Sequence, residues 1–116
     1  MAGKLNADHT NDTKPYVKTT YENGTSGYRI WSDGYCEQWG IVTGANGELV
    51  TTTFLKVFNV VPIVCVNFTF KIVGNVNYIY IQARNVTTTS FQIYTYQDNC
   101  DGTMWRASGY LAAGQY

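Results

Sequence analysis

No stretch of this chain carries an apolar period of 3.6 residues over even ten positions, whereas short runs of period two recur from Tyr28 to Tyr110. A segment with apolar residues at alternate positions can bury them together only as a strand, because successive strand side chains point to opposite faces. The chain is therefore restricted to all-β architectures. The clearest run is Tyr28–Val42, YRIWSDGYCEQWGIV, in which two aromatic and β-branched segments flank Asp33-Gly34. That pair suits the two central residues of a type I′ turn, so the run is expected to be a tight hairpin. Its second half places Tyr35, Glu37, Trp39 and Ile41 on one face and Cys36, Gln38, Gly40 and Val42 on the other. A glutamate and a glutamine in mid-strand require partners or water. Arg29 and Lys71 are the cations in reach for Glu37.

Further strands follow at regular spacing. Val50, Thr52 and Phe54 alternate with Leu49, Thr51 and Thr53, after a turn through Thr43–Gly47 whose Asn46-Gly47 pair suits a second hairpin. Phe58 is placed to plug one end of a core, and Pro62, which cannot donate to a central ladder, precedes a strand with Val64, Val66, Phe68 and Phe70 on its apolar face. Then come Ile79, Ile81 and Ala83 against Tyr78, Tyr80 and Gln82, Phe91, Ile93 and Thr95 against Gln92, Tyr94 and Tyr96, and Trp105 and Ala107 against Arg106 and Ser108. Six to seven strands with turn signals between them indicate an antiparallel β-sandwich. Residues 1–24 are polar without either period and read as a lead-in or linker, leaving 25–116 as the sandwich domain.

At 116 residues the chain is one domain. Eight basic and eight acidic residues cancel, and without a basic cluster duplex nucleic-acid binding is excluded. The start, MAGKLNADHTNDTK, has no apolar h-region of a signal peptide, and the longest apolar region, Val57 to Phe70, is too broken and short to insert in a membrane. Cys36, Cys65 and Cys100 fit no zinc or redox spacing, so neither a disulfide nor a metal is expected to be needed, and no cofactor motif is present. Asn67 opens a glycosylation sequon but is expected inside a buried strand. His9, the sole histidine, lies in the lead-in, and the aspartates 33, 98 and 101 sit where turns want them, so no catalytic constellation emerges. Asp98, Asn99 and Asp101 offer oxygens to calcium, yet lack the full loop pattern and read as an Asx-rich turn. Aromatic content of 16%, with ten tyrosines, against 14% charged residues suits a chain that buries surface against its own copies or displays tyrosines to a ligand.

The hairpin motif Trp31, Asp33, Gly34, Tyr35, Gln38, Trp39 and Gly40 resembles the opening of β-sandwich domains at the C-terminal end of phage tail fibres. Thr51, Phe54, Phe58 and Pro62 match the segment that follows in that family, and Trp105, Ala107, Gly109 and Tyr110 match its ending. The resemblance covers residues 28 to 110. It implies a homotrimeric, non-catalytic receptor-binding module at the virion's fibre tip, assembled in the host cytoplasm, with a fibre shaft joining at the lead-in. Its partner would be a host surface glycan, lipopolysaccharide or another polysaccharide. The alternative is a trimerisation or folding domain without receptor contact.

From Val50 onward the order of features is also similar to the H-type lectins, trimeric sandwiches that bind N-acetylgalactosamine-like sugars between protomers. By that resemblance Arg84, the pair Tyr96 and Gln97, and the turn containing Asn46 line a sugar site. The residues themselves point to the same loop: Tyr96 ends a strand and opens a polar stretch with Gln97, Asp98 and Asn99, offering an aromatic face together with fixed donors and acceptors.

Overall fold

The computed structural model describes residues 14–43, 48–68, 80–96 and 102–116. Among them are eight strands: β1 Val17–Asn23, β2 Ser26–Trp31, β3 Tyr35–Val42, β4 Leu49–Thr53, β5 Ile63–Phe68, β6 Tyr80–Arg84, β7 Ser90–Tyr96 and β8 Thr103–Tyr110. They form a five-stranded antiparallel sheet in the order β1-β2-β3-β8-β5 and a three-stranded one in the order β4-β7-β6. The all-β sandwich read from the alternation is thus the observed architecture.

Two expectations about the N-terminal third need correction. The lead-in assigned to residues 1–24 becomes strand at Val17, and β1 pairs with β2 from Val17 opposite Trp31 to Asn23 opposite Ser26. Every residue of β1 is exposed, so neither face is apolar and no period could betray it. Gly24, with φ +62°, takes the first central position of the two-residue connection to β2, as a type II′ turn requires. The second correction concerns the β2–β3 turn. Gly34 N–H donates to Trp31 O at 3.0 Å, and Gly34 has φ +90° while Asp33 does not have a positive φ. The connection is a three-residue loop, Ser32-Asp33-Gly34, closed by a glycine, rather than a type I′ pair. Asp33 supports it by accepting from Tyr35 N–H at 3.1 Å.

Between the sheets lie Ile30, Cys36, Phe54, Phe58, Phe91, Ile93, Trp105, Ala107 and Leu111, all buried. Phe54 is the hub, with ring centroids 5.0 Å from Phe58, 5.4 Å from Phe91 and 6.0 Å from Trp105. Phe91 meets Trp105 edge-on at 5.2 Å, so the aromatic cluster joins both sheets. Phe58 closes one end, bridging to Leu111 and resting where a side chain at Gly109 would lie.

The Gln38-Trp39-Gly40 triplet has a distinct task for each residue. Gln38 is fully buried opposite the small Ala107, donates through Nε2 to Lys56 O at 2.8 Å and accepts from Lys56 N–H at 3.0 Å. It thereby pins the segment between Phe54 and Phe58 to β3. Gly40 faces inward under the Trp105 ring, where an added Cβ would lie 2.8 Å from Nε1. Trp39 faces outward and covers Gly27, where a Cβ would come within 2.8 Å of its ring. Cys36, beside Gln38, has its thiol pushed up to about 12 by burial, against the opposing pull of Lys56.

Asn67 stands exposed on β5 rather than buried, because β5 is an edge strand and Asn67 points outward with Ile63 and Cys65. Its neighbours Val64 and Val66 pack against the core, as their alternation requires.

Candidate ligand-binding face

The outward side of the three-stranded sheet is set by register. Leu49, Tyr94 and Gln82 share one row across β4, β7 and β6, and Thr51, Gln92 and Arg84 share the next. Alternation sends Phe91, Ile93 and Thr95 into the core, and the described side chains left on this face are carboxamides, hydroxyls, Leu49, Arg84 and Tyr94. The side chains are organised by one another. The Arg84 guanidinium lies 4.8 Å from the centre of the Tyr94 ring, and its Nε donates to Gln82 Oε1. In the neighbouring row Asn85 Nδ2 donates to Gln92 Oε1, and Gln92 Nε2 donates to Thr51 Oγ1 at 3.2 Å. Asn85 sits at φ +51°, a conformation asparagine tolerates better than most residues, and so turns its amide back onto the sheet. Thr87 closes the turn behind it, its Oγ1 accepting from Thr89 and Ser90 N–H.

This arrangement fixes a cation over an aromatic ring beside two carboxamides, all on paired strands. Such a surface offers planar donors to hydroxyl or carboxylate groups and an apolar ring for C–H groups. Arg84 is the one ionised side chain in the described rows of this face. Among the described residues no group of three histidine, cysteine or acidic side chains could hold a metal, and Cys36 and Cys65 are both free thiols.

Of the residues singled out in the sequence, Arg84 is half-buried on β6, opposite Gln92. Tyr96 ends β7 opposite Tyr80, four positions along β6 from Arg84, or about 13 Å at strand rise. The side chain of Tyr96, like Asn46, Gln97, Asp98 and Asn99, lies outside the described residues. Antiparallel pairing of β4 with β7 puts Leu49, where β4 begins, and Tyr96, where β7 ends, at the same end of the sheet. The sequence reading missed Tyr94, Gln92 and Gln82. Their positions alternate with core residues, which marks them as outward, but only the register reveals that Arg84 meets Tyr94.

No family model matches the chain, and no curated protein does. Two solved structures do. One is a C-terminal fragment of the P. aeruginosa R2 pyocin fibre, at TM-score 0.64 and 26% identity over 78% of this chain. The other is an N-truncated R2-type pyocin tail fibre, at TM-score 0.65 and the same identity and coverage. This chain is similar to pyocin tail fibres. It spans 25% of the first solved chain and 36% of the second, so the likeness concerns one portion of each. The similarity supports a tail-fibre role, in agreement with the motif resemblance from Trp31 to Tyr110. The likeness to H-type lectins rests on the sequence motifs alone.

Proposed function

We propose that this chain is the non-catalytic receptor-binding tip of a phage-type tail fibre, trimeric and carried on the virion, that attaches to a host cell-surface glycan such as lipopolysaccharide or another polysaccharide. The observation that carries the reading is the guanidinium of Arg84 set over the Tyr94 ring, with Gln82 and Gln92 beside them on a rigid outward face. We assign to the same site Tyr96, Gln97, Asp98, Asn99 and Asn46, which close β7, follow it or precede β4 in the sequence; β7 ends and β4 begins at the same end of the sheet. Each copy is expected to bind weakly, and three copies on one tip raise the effective concentration enough for firm attachment.

The test is a glycan array and a cell-binding assay with the intact chain and with Tyr94→Ala and Tyr96→Ala variants. Binding should fall at least tenfold in either variant, with assembly and melting temperature close to wild type. Normal binding by both variants would move the site elsewhere. A second reading, a folding or trimerisation domain without receptor contact, is favoured by the exposed apolar side chains of Ile63, Ile41 and Met104 on the outer face of the five-stranded sheet. Absence of glycan and cell binding in a stable oligomer would support it.

A further inference from the structure

The outer face of the five-stranded sheet is divided by a polar row, in which Arg29 stands opposite Glu37 and Glu37 opposite Ser108. The next rows to one side of it set Arg106 between Trp39 and Cys65, then Met104 beside Ile41. A groove of about 560 Å³ runs over them, and Thr25, Trp39, Ile41, Cys65, Met104 and Arg106 contribute to its lining. Small-ligand sites span roughly 300–1,000 Å³, so the groove has the size of one. Arg106 sets its charge. The other cations on the described strands are engaged: Lys18 lies over the Tyr116 ring at 6.0 Å, Arg84 lies over the Tyr94 ring at 4.8 Å, and Arg29 faces Glu37. The Arg106 guanidinium has no hydrogen bond, ion pair or ring contact among the described residues, and none of the described residues lining the groove is acidic. Glu37, the nearest carboxylate in the register, stands diagonal to Arg106 and directly opposite Arg29.

We infer that this groove is a second saccharide subsite and takes a sugar that bears one carboxylate, of the hexuronic acid type. The inference rests on the glycan reading of the chain and goes beyond it by naming a site on the opposite sheet and the charge of its ligand. The planar fork of an arginine matches a carboxylate through two parallel N–H···O bonds. One positive charge balances one negative charge. A phosphate monoester carries about −1.5 to −2 at neutral pH and would leave a remainder uncompensated beside Ile41 and Met104. Trp39 supplies what a sugar needs besides charge, an aromatic surface for C–H groups and an indole N–H that donates to no described residue. Its ring is held over Gly27, where a Cβ would come within 2.8 Å, so it loses little freedom when a ligand covers it. The Thr25 hydroxyl, on the connection between β1 and β2, adds a donor and an acceptor at the rim.

Cys65 reports on the groove, because its thiol is exposed within it while Cys36 is buried in the core. The probes are oligosaccharides containing hexuronic acids, each paired with its carboxyl-reduced form, immobilised as an array beside neutral and phosphorylated glycans. The tightest ligand of the full chain should be a carboxylated one, and its reduced form should bind about tenfold more weakly, as loss of a charge-assisted hydrogen bond requires. In solution, that ligand at about ten times its Kd leaves about a tenth of the grooves open, so N-ethylmaleimide labelling of Cys65, followed by peptide mapping, should slow about tenfold. Arg106→Gln should lose both the protection and the preference for the carboxylated form. Lys18→Gln, which removes the same charge elsewhere, should keep both, and a protected Cys36 verifies folding in each variant. Chain with bound glycan whose Cys65 labels at the unliganded rate, or a Cys65 already slow without ligand, would overturn the groove site and leave the glycan reading standing. Equal binding of the reduced forms, or a preference for phosphorylated glycans, would overturn the carboxylate. A chain that binds no glycan at all would remove the reading beneath the inference and the inference with it.

Discussion

Gln38 offers the sharpest test of how the two sheets are tied together. Its side chain is fully buried, and both ends of its amide are bonded to the backbone of Lys56, at 2.8 and 3.0 Å. Gln38→Met keeps the shape and removes both polar groups. Two backbone groups of Lys56 then lose their partner, at about 1–3 kcal/mol each where water cannot replace it. Lys56 is itself half-buried, so water recovers part of that loss, which places the gross cost at about 2–4 kcal/mol. The greater apolarity of methionine offsets about 1 kcal/mol. A net loss of about 1–3 kcal/mol should appear in urea unfolding followed by circular dichroism, as a lower midpoint at unchanged slope. Gln38→Glu goes further, because at neutral pH it aims a carboxylate at the Lys56 carbonyl. Burial raises the folded pKa of that carboxyl, so the folded state holds the proton more tightly than the unfolded chain. Stability of this variant should therefore rise as pH falls through its folded pKa, until the unfolded carboxyl is protonated near about 4.3. The protonated acid regains a donor for Lys56 O. If Gln38→Met unfolds at the wild-type midpoint, or Gln38→Glu shows no recovery in acid relative to wild type, the amide clamp does not hold the Phe54–Phe58 crossing.

Gly40→Ala should cost about 1–3 kcal/mol by the same unfolding assay, because the new Cβ lies 2.8 Å from Trp105 Nε1 and the ring must shift off Phe91 and Phe54. Gly24→Ala, with open space around it, should cost about 1 kcal/mol through its φ of +62° alone. Burial lifts the Cys36 thiol from its ordinary 9.0 to about 12, so below pH 9 it leaves stability unchanged. Above that the unfolded chain releases the proton while the folded one keeps it, and stability falls as pH rises; Cys36→Ala should flatten this alkaline slope relative to wild type.

The sequence disclosed those elements whose two faces differ. Phe91, Ile93 and Thr95 are all buried while Gln92 and Tyr94 are not, and Trp105 and Ala107 likewise alternate with Arg106, so period two located β7 and β8 without further help. β1 has no buried face, and its Thr- and Tyr-rich composition was the sole available signal, outweighed by the polarity around it. The apolar run from Ile63 to Phe70 reads as a buried strand around Asn67, but an edge strand keeps its outward side wet. Turn chemistry located the β2–β3 connection and mistook its length, since Asp-Gly serves a three-residue loop as well as a two-residue one. The candidate site was legible as single residues. Arg84 was marked by its motif, yet its place over Tyr94 depends on the β6–β7 register, which the sequence between the strands does not set by any local rule. Gln38 illustrates the same limit: an amide in mid-strand announces that it needs partners, and the partners stand 18 positions away.

The strand order has a consequence for synthesis. β8, the last of the eight described strands, pairs with β3 on one side and β5 on the other, and the residues after it cover one end of the sandwich: Leu111 N–H donates to Gly34 O, Gln115 Oε1 accepts from Val57 N–H, and the Tyr116 ring lies against Gly34. Until β8 has left the ribosome, β3 and β5 each present an unpaired edge, and the nascent chain holds two three-stranded units, β1-β2-β3 and β4-β7-β6, with β5 unpaired. Joining of β5 to the larger sheet therefore waits for β8 to emerge. Loss of the final strand to a premature stop would leave no smaller sandwich behind, only two edges ready to pair with a neighbour on the same message.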